Sequence, residues 1–288
     1  MKIHILPTPR VLRPIRQAFR YPADNPDYGV EQDFLQWLRD RPGLCTDDPN
    51  RADFHYLPVF WTRYHINHGF GKTGQAELRR MVGEILIDDA KTFTICQYDD
   101  GPLIDLGQTL QFLAARKTGL GIDIPVLRST HRLPWWRPKP RYLASFVGRL
   151  LTHPIRREMA ETLKGQEGVL LIDGDKGPRF FVKTTLASHV CLAPRGYGGS
   201  SFRCYEAMQL GVLPLVINDL DTRPFRKFLD WSTFSLFTHD PTKVPDMLRD
   251  ADPQQLLHMG QTARKVYNEH LAMGRWCRYV LEELKLRF

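Results

Sequence analysis

Residues 193–217, APRGYGGSSFRCYEAMQLGVLPLVI, read as the end of a strand, a glycine-rich turn, a short helix and a second strand. Pro194 closes the first strand, and Gly196, Gly198 and Gly199 supply the backbone freedom a sharp turn needs. Ser200 and Ser201 have N-cap chemistry for a helix starting near Phe202, and Gly211 suits the position just past its end. Exposed amides and the positive end of the helix dipole make such a turn an anion site. Arg203 and Glu206, three apart, share a helix face. Arg203 could reach a phosphate, and Glu206 could accept bonds from two adjacent hydroxyls, as a ribose offers. An ordinary intrahelical Arg–Glu pair accounts for the same spacing equally well.

Competing motifs fail on detail. GYGGSS lacks the third glycine of a dinucleotide fingerprint, and no acid follows about twenty residues on except Asp219 or Asp221. A dehydrogenase is disfavoured. HGFGKTG, 68–74, imitates the end of a P-loop, but the first glycine belongs at position 66, where Ile66 stands. Asp219 and Asp221 spell a D-x-D that a turn with a helix cap explains better than a metal. His65 and His68, in what reads as an aromatic loop, lack a third ligand nearby and suit an acceptor-side role.

Outward from the opening stretch, strand and helix alternate, the pattern of parallel sheets covered on both faces. KIHILP, ADFHYLPVFW and TFTICQYDD read as strands, with helices in GVEQDFLQWLRDRPG and GQAELRRMVGEILIDD. LGQTLQFLAARKTGLG reads as helical or partly so, and DIPVLRS as a short strand. The proline-rich HRLPWWRPKPR, 131–141, is the natural boundary. The alternation then restarts with YLASFVG, PIRREMAETLKG, GVLLIDG, FVKTTLAS and HVCLAP, and helical segments run from VLPLVIND to the end. Two α/β halves joined by a stiff connection predict two Rossmann-like domains facing each other across a cleft, with ligands at the carboxyl ends of the strands.

Forty Lys and Arg against 32 Asp and Glu give a net charge of +8, which points to an anionic partner. The basic residues are scattered in ones and twos, which speaks against nucleic acid. Five widely spaced cysteines without C-x-x-C predict a reduced chain without a disulfide framework or structural zinc. No stretch approaches the roughly 18 apolar residues of a membrane span.

Several segments together resemble the exostosin-like glycosyltransferases, family GT47. They are YGVEQDFLQWL, CTDDPNRADFHYLPVFW, FVGRLLTHPIRREMAETL, VCLAPRGYGGSSFRCYEAMQLGVLPLVIND and RPFRKFLDWSTFSLF, in order from about residue 28 to 237. The resemblance implies a GT-B fold: residues 1–135 an acceptor-side domain, 136–272 a nucleotide-sugar domain, and 273–288 a helix crossing back to the first. It implies inversion at the anomeric carbon, no cofactor or catalytic metal, a nucleotide-sugar donor (commonly a UDP-sugar) and a glycan acceptor.

On that footing the diphosphate is expected at the amides of Gly199, Ser200, Ser201 and Phe202, after the turn that begins at Gly196. Arg203 stands beside it, with Arg195 and Arg156 as further phosphate ligands, and Glu206 holds the ribose. Lys183 and Arg149 read as surface or structural. The general base is expected at Asp99 or Asp100, with Asp123, His65 and His153 as alternatives and turn capping the plainer role for either aspartate. His65 and His68 fall on the acceptor side. The chain is shorter than the family's animal and plant members and shows no N-terminal anchor, so the expectation is a soluble, cytoplasmic protein of bacterial or viral type. The alternative is a nucleotide- or carbohydrate-binding module that kept the fold and lost catalysis.

Overall fold

The computed structural model describes residues 1–15, 29–126, 130–131, 134–135 and 137–287. Tyr28, the end of DIPVLRS (127–129) and positions 132, 133 and 136 of the proline-rich connection lie outside them. By contacts the chain divides into Met1–Ile124 with Met273–Phe288, and Pro125–Ala272. The division, at Ile124/Pro125, falls ahead of the proline-rich stretch 131–141 and of the expected 135/136 boundary. Residues of the connection are tied into the second unit: the His131 N–H donates to Gln209 Oε1 at 3.2 Å, and Arg137 Nη2 donates to the Gly211 carbonyl at 2.9 Å.

In the first unit, β1 (Ile3–Ile5) is followed by α1 (Val30–Arg39), β2 (Phe54–Leu57), α2 (Trp61–Asn67), α3 (Gln75–Ile85), β3 (Thr92–Cys96), β4 (Leu110–Leu113) and β5 (Ile122–Asp123). The five strands are parallel and lie in chain order, β1-β2-β3-β4-β5. Side chains alternate across the sheet. Tyr56 and Phe93 meet Phe34 of α1 on one face, whereas Leu57 and Cys96 join Trp61, Tyr64 and Leu78 on the other. Trp61 donates its indole N–H to Thr94 Oγ1 at 2.9 Å.

Two expectations change here. Leu110–Leu113 is a strand: glycines 107, 119 and 121 flank a stretch too short for a helix, and Phe112, fully buried, fits an alternating pattern against β3. The aromatic loop holding His65 is the helix α2, whose Trp61, Tyr64 and His65 are buried at the i, i+3, i+4 spacing.

The second unit runs β6 (Tyr142–Gly148), α4 (Pro154–Thr162), β7 (Val169–Asp173), α5 (Gly177–Leu186), β8 (Ser188–Pro194), α6 (Phe202–Leu210), β9 (Leu213–Ile217), β10 (Leu236–Thr238), α7 (Val244–Arg249) and α8 (Pro253–Val266). The strand β10 falls where only helices were expected. Its sheet is also parallel, but the order is β10-β9-β8-β6-β7. The chain steps from β6 outward to β7, then returns past β6 to build β8, β9 and β10 on the other side. The order therefore reverses between β6 and β8. Gly260 lets α8 close on the start of β9: a Cβ there would stand 2.7 Å from the Gly211 carbonyl oxygen.

The last helix, α9 (Cys277–Lys285), belongs by contacts to the first unit. Trp276 at its start stacks on Phe34 with ring centres 5.9 Å apart, and Val280 and Leu284 are fully buried. Both units are thus α/β with parallel sheets, as the alternation predicts.

Candidate functional site

A reversal of strand order opens a crevice at the carboxyl ends of the two strands between which it occurs. In the second unit those ends are Gly148 and Pro194. The loop after Pro194 is closed by Gly196 N–H to the Ser200 carbonyl, 3.1 Å. The Gly199 carbonyl accepts from Asn218 Nδ2 at 2.6 Å and from Thr222 Oγ1 at 2.7 Å. Because the peptide is planar and trans, fixing that carbonyl turns the Ser200 N–H the opposite way. α6 then starts from Ser201 and ends on Gly211, which adopts the left-handed conformation (φ 66°).

Ser201 occupies the N-cap position, but its hydroxyl caps nothing. Its Oγ and Arg195 Nε are both buried without a partner among the described residues. They line a cavity of about 10 Å³ with Asn218, Thr222 and Arg223, room for about one water molecule.

The predicted phosphate arginines are well fixed. Arg156 is buried and donates to three main-chain carbonyls, Arg195 (2.7 Å), Arg149 (3.0 Å) and Pro194 (3.3 Å), so it ties the β6 side of the crevice to the β8 side. Burial, with the nearby Arg203 charge, lowers its pKa to about 10. Arg195 is buried and pairs with Asp219. Arg203 donates Nε–H to the Val147 carbonyl at 2.8 Å, lies over the Phe181 ring and pairs with Glu206, while a quarter of its side chain stays exposed. Gly196 and Ser200 remain partly exposed.

Glu206 sits differently from the expectation of a ribose clamp. It is 1% exposed and accepts on one oxygen from Arg203 and on the other from His131 Nε2, at 3.0 Å. Burial pushes its pKa up, but the Arg203 charge and the His131 hydrogen bond outweigh this and bring it down to about 2. The D-x-D acids are also taken: Asp219 pairs with Arg195, while Asp221 accepts from the Arg223 N–H at 3.1 Å, the turn cap expected of it, and pairs with Arg223 (2.8 Å) and Arg226 (3.2 Å). Among the described residues no cluster of three or more His, Cys, Asp or Glu could hold a metal.

In the first unit, Asp99 and Asp100 are exposed at the two central positions of a tight turn after β3, closed by Gly101 N–H to the Tyr98 carbonyl at 2.9 Å. Asp100 pairs with Lys117. Both acids line a groove of about 430 Å³ with Tyr98, Leu103, Gln111 and Lys117. Asp123, an alternative base, is buried and held bidentately by Arg116 at 2.8 and 2.7 Å. His153, another, accepts from Ile155 N–H as the N-cap of α4.

Of the two histidines, one is buried and the other half-buried. His65 is fully buried, and its Nε2–H donates to the Pro102 carbonyl at 2.9 Å. Its Nδ1 is buried without a partner. Burial lowers its pKa to about 4, so the ring is neutral. His68 closes the C-terminus of α2 and stacks on Tyr64, ring centres 4.0 Å apart.

Residues 119–248 match the exostosin GT47 domain. Over 156 residues the chain is 26% identical to the exostosin-1 homolog of Caenorhabditis elegans, covering 46% of this chain and 41% of that protein. Over 155 residues it is 24% identical to exostosin-1 of Drosophila melanogaster, 45% of this chain and 20% of that one. Residues 119–248 are an exostosin-like GT47 domain. The chain spans less than half the length of either relative. The solved structure of AviGT4, a glycosyltransferase involved in avilamycin A biosynthesis, is 13% identical, with a TM-score of 0.40 over 99% of this chain and 97% of that one.

The exostosin-like domain contains the whole crevice of the second unit, from His131 to Arg223, whereas Asp99, Asp100 and His65 precede it. Sequence reasoning missed His131, Asn218 and Thr222 within this domain. Asn218 ends the segment VLPLVIND and Thr222 follows the D-x-D, and a polar side chain just past a strand is a signal for a held main-chain carbonyl. A single histidine in a proline-rich connection gives no such signal.

Proposed function

We propose that the chain is a GT-B glycosyltransferase that moves a sugar from a nucleotide-sugar donor, read as a UDP-sugar, to a glycan hydroxyl with inversion and without a catalytic metal. The observation that carries this is the reversal of strand order at Gly148 and Pro194 inside the exostosin-like domain, beside the N-terminus of α6 and a partly exposed Arg203. The diphosphate lies against the Ser200–Phe202 amides and Arg203. Arg156 and Arg195, fixed to the main chain and to Asp219, supply the positive field behind it. Glu206 meets the ribose only where a ribose hydroxyl replaces His131 on its carboxylate; otherwise it acts by orienting Arg203.

On the acceptor side, an aspartate of the Tyr98–Gly101 turn removes the proton of the attacking hydroxyl. That oxygen bonds to the anomeric carbon from the face opposite the leaving group, and the old C–O electron pair departs on the diphosphate. A groove lined by both polar and apolar groups suits a sugar, which offers both kinds of surface.

Calorimetric titration with UDP and initial rates with a panel of UDP-sugars test the reading. Arg203→Ala should weaken UDP about 10–100-fold, the worth of a charge-assisted bond. One of Asp99→Ala and Asp100→Ala should abolish transfer with UDP affinity unchanged; if both turn over like wild type, the base assignment falls. EDTA should leave turnover unaltered. UDP binding without transfer from any donor would favour the non-catalytic module.

A further inference from the structure

The turn that carries the two aspartates has supports beyond its own Gly101 N–H to Tyr98 carbonyl bond. Gly101 has φ 71°, and Leu103, two residues later, has φ 58°, a left-handed conformation that an L-residue adopts only where its surroundings hold it there. The Leu103 side chain lies on Gly71, where an added Cβ would come within 2.2 Å of it.

Two fully buried side chains grip this loop from behind. At its start, Gln97 N–H donates to Glu31 Oε1 at 2.9 Å, and Gln97 Oε1 accepts from Val30 N–H at 3.3 Å. The same Glu31 oxygen accepts from Thr62 N–H (3.2 Å) and Thr62 Oγ1 (2.9 Å), so one carboxyl joins the first turns of α1 and α2 to the end of β3. At the other end of the loop, His65, one turn along α2 from Thr62, donates to the Pro102 carbonyl, and its ring lies 4.8 Å from that of Tyr98. Glu31 and His65 are each 0% exposed, so neither can touch a ligand in the groove.

We propose that Glu31 and His65 are positioning residues of the transfer reaction, holding the Tyr98–Gly101 turn so that its carboxylates stand fixed at the edge of the groove. This rests on the glycosyltransferase reading, because the object positioned is the base. A buried acid and a buried histidine, on different helices, converge on the two ends of one exposed loop. Each costs more to bury than an apolar side chain of similar size.

The test compares His65→Phe, which keeps ring volume without the N–H, with His65→Gln, whose side-chain amide can still donate to Pro102. Amide hydrogen exchange across residues 97–105 of the intact chain reads the grip directly. Loss of one buried hydrogen bond should speed exchange there about tenfold in His65→Phe, with His65→Gln near wild type. kcat should fall about tenfold or more in His65→Phe and recover in His65→Gln, with UDP affinity unchanged in both.

Wild-type exchange in His65→Phe overturns the grip. Faster exchange with unchanged kcat overturns the positioning role. If the wild type transfers no sugar, the glycosyltransferase reading fails and the catalytic role with it, while exchange still decides the grip separately. Should His65→Phe not fold, His65→Asn, too short to reach Pro102, takes its place with the same expectations.

Discussion

Glu206 and Glu31 are both buried, and each lies in a helix at the carboxyl end of a parallel sheet, yet the two units treat them in opposite ways. Glu206 is paired with Arg203 and bonded by His131, and its pKa falls to about 2. Among the described residues Glu31 accepts from neutral donors, Thr62 and the Gln97 amide among them, and its pKa is raised, chiefly by burial. The lesson is that burial alone does not set the state of a carboxyl; the charge of its partners does. One site is built to keep charge inside. The other uses a polar group mainly as a strut.

The largest break in this contrast should come from Glu206→Ala. It strands Arg203 beside a crevice already holding Arg156, and removing one partner of a buried pair costs about 3–5 kcal/mol. Chemical denaturation at pH 7 measures it. The sign of the pH effect follows from the lowered pKa. The carboxylate's contribution is present above the ordinary carboxyl value near 4.5 and is lost as pH falls towards about 2.

His65 should act in a separate window. Its folded pKa, about 4, lies below the ordinary 6.5, so between those values the unfolded chain binds a proton that the folded chain refuses. Stability should therefore drop as pH falls from about 6.5 to about 4, by about 2–3 kcal/mol. His65→Gln should flatten that slope and leave the one below 4.5 intact. An unchanged slope in the variant would break the assignment.

Glu31→Gln should be small by comparison. A raised carboxyl pKa means that stability is complete below the unfolded value and declines as pH rises through the folded one. Replacing the ionisable group at pH 7 should therefore cost nothing or add about 1 kcal/mol. A loss of several would make Glu31 a charged partner like Glu206 and erase the contrast.

The regular elements of the crevice were legible in the sequence because hydrophobic run, glycine and capping residue agree from YLASFVG to VLPLVIND. The site's wiring was not. The i, i+3 spacing of Arg203 and Glu206 announced a pair, but that His131 would supply Glu206's other partner depends on a fold-back no local pattern encodes. The α2 segment was missed for a related reason. Its buried face is Trp61, Tyr64 and His65, and aromatic and histidine side chains do not stand out as an apolar stripe as leucines do. LQFL reads as helical or partly so because flanking LGQT and AARK extend the pattern, yet the four residues Leu110–Leu113 join the sheet. Composition, finally, cannot say which of many glutamates is inside: YGVEQDFLQWL carries Glu31 into the family resemblance, but neither its burial nor its partners can be read from it.

The smallest effect belongs to Lys117→Ala, and it separates the two aspartates. Lys117 pairs with Asp100, both about one-quarter to one-third exposed, so solvent screens the pair and its loss should cost well under about 1 kcal/mol. Salt should reduce even that. Transfer is the more telling readout. Lys117 holds Asp100 to one side of the turn, so freeing it should alter turnover only where Asp100 is the group that meets the acceptor hydroxyl. Unchanged turnover with unchanged UDP affinity assigns the base to Asp99. A change in kcat alone assigns it to Asp100.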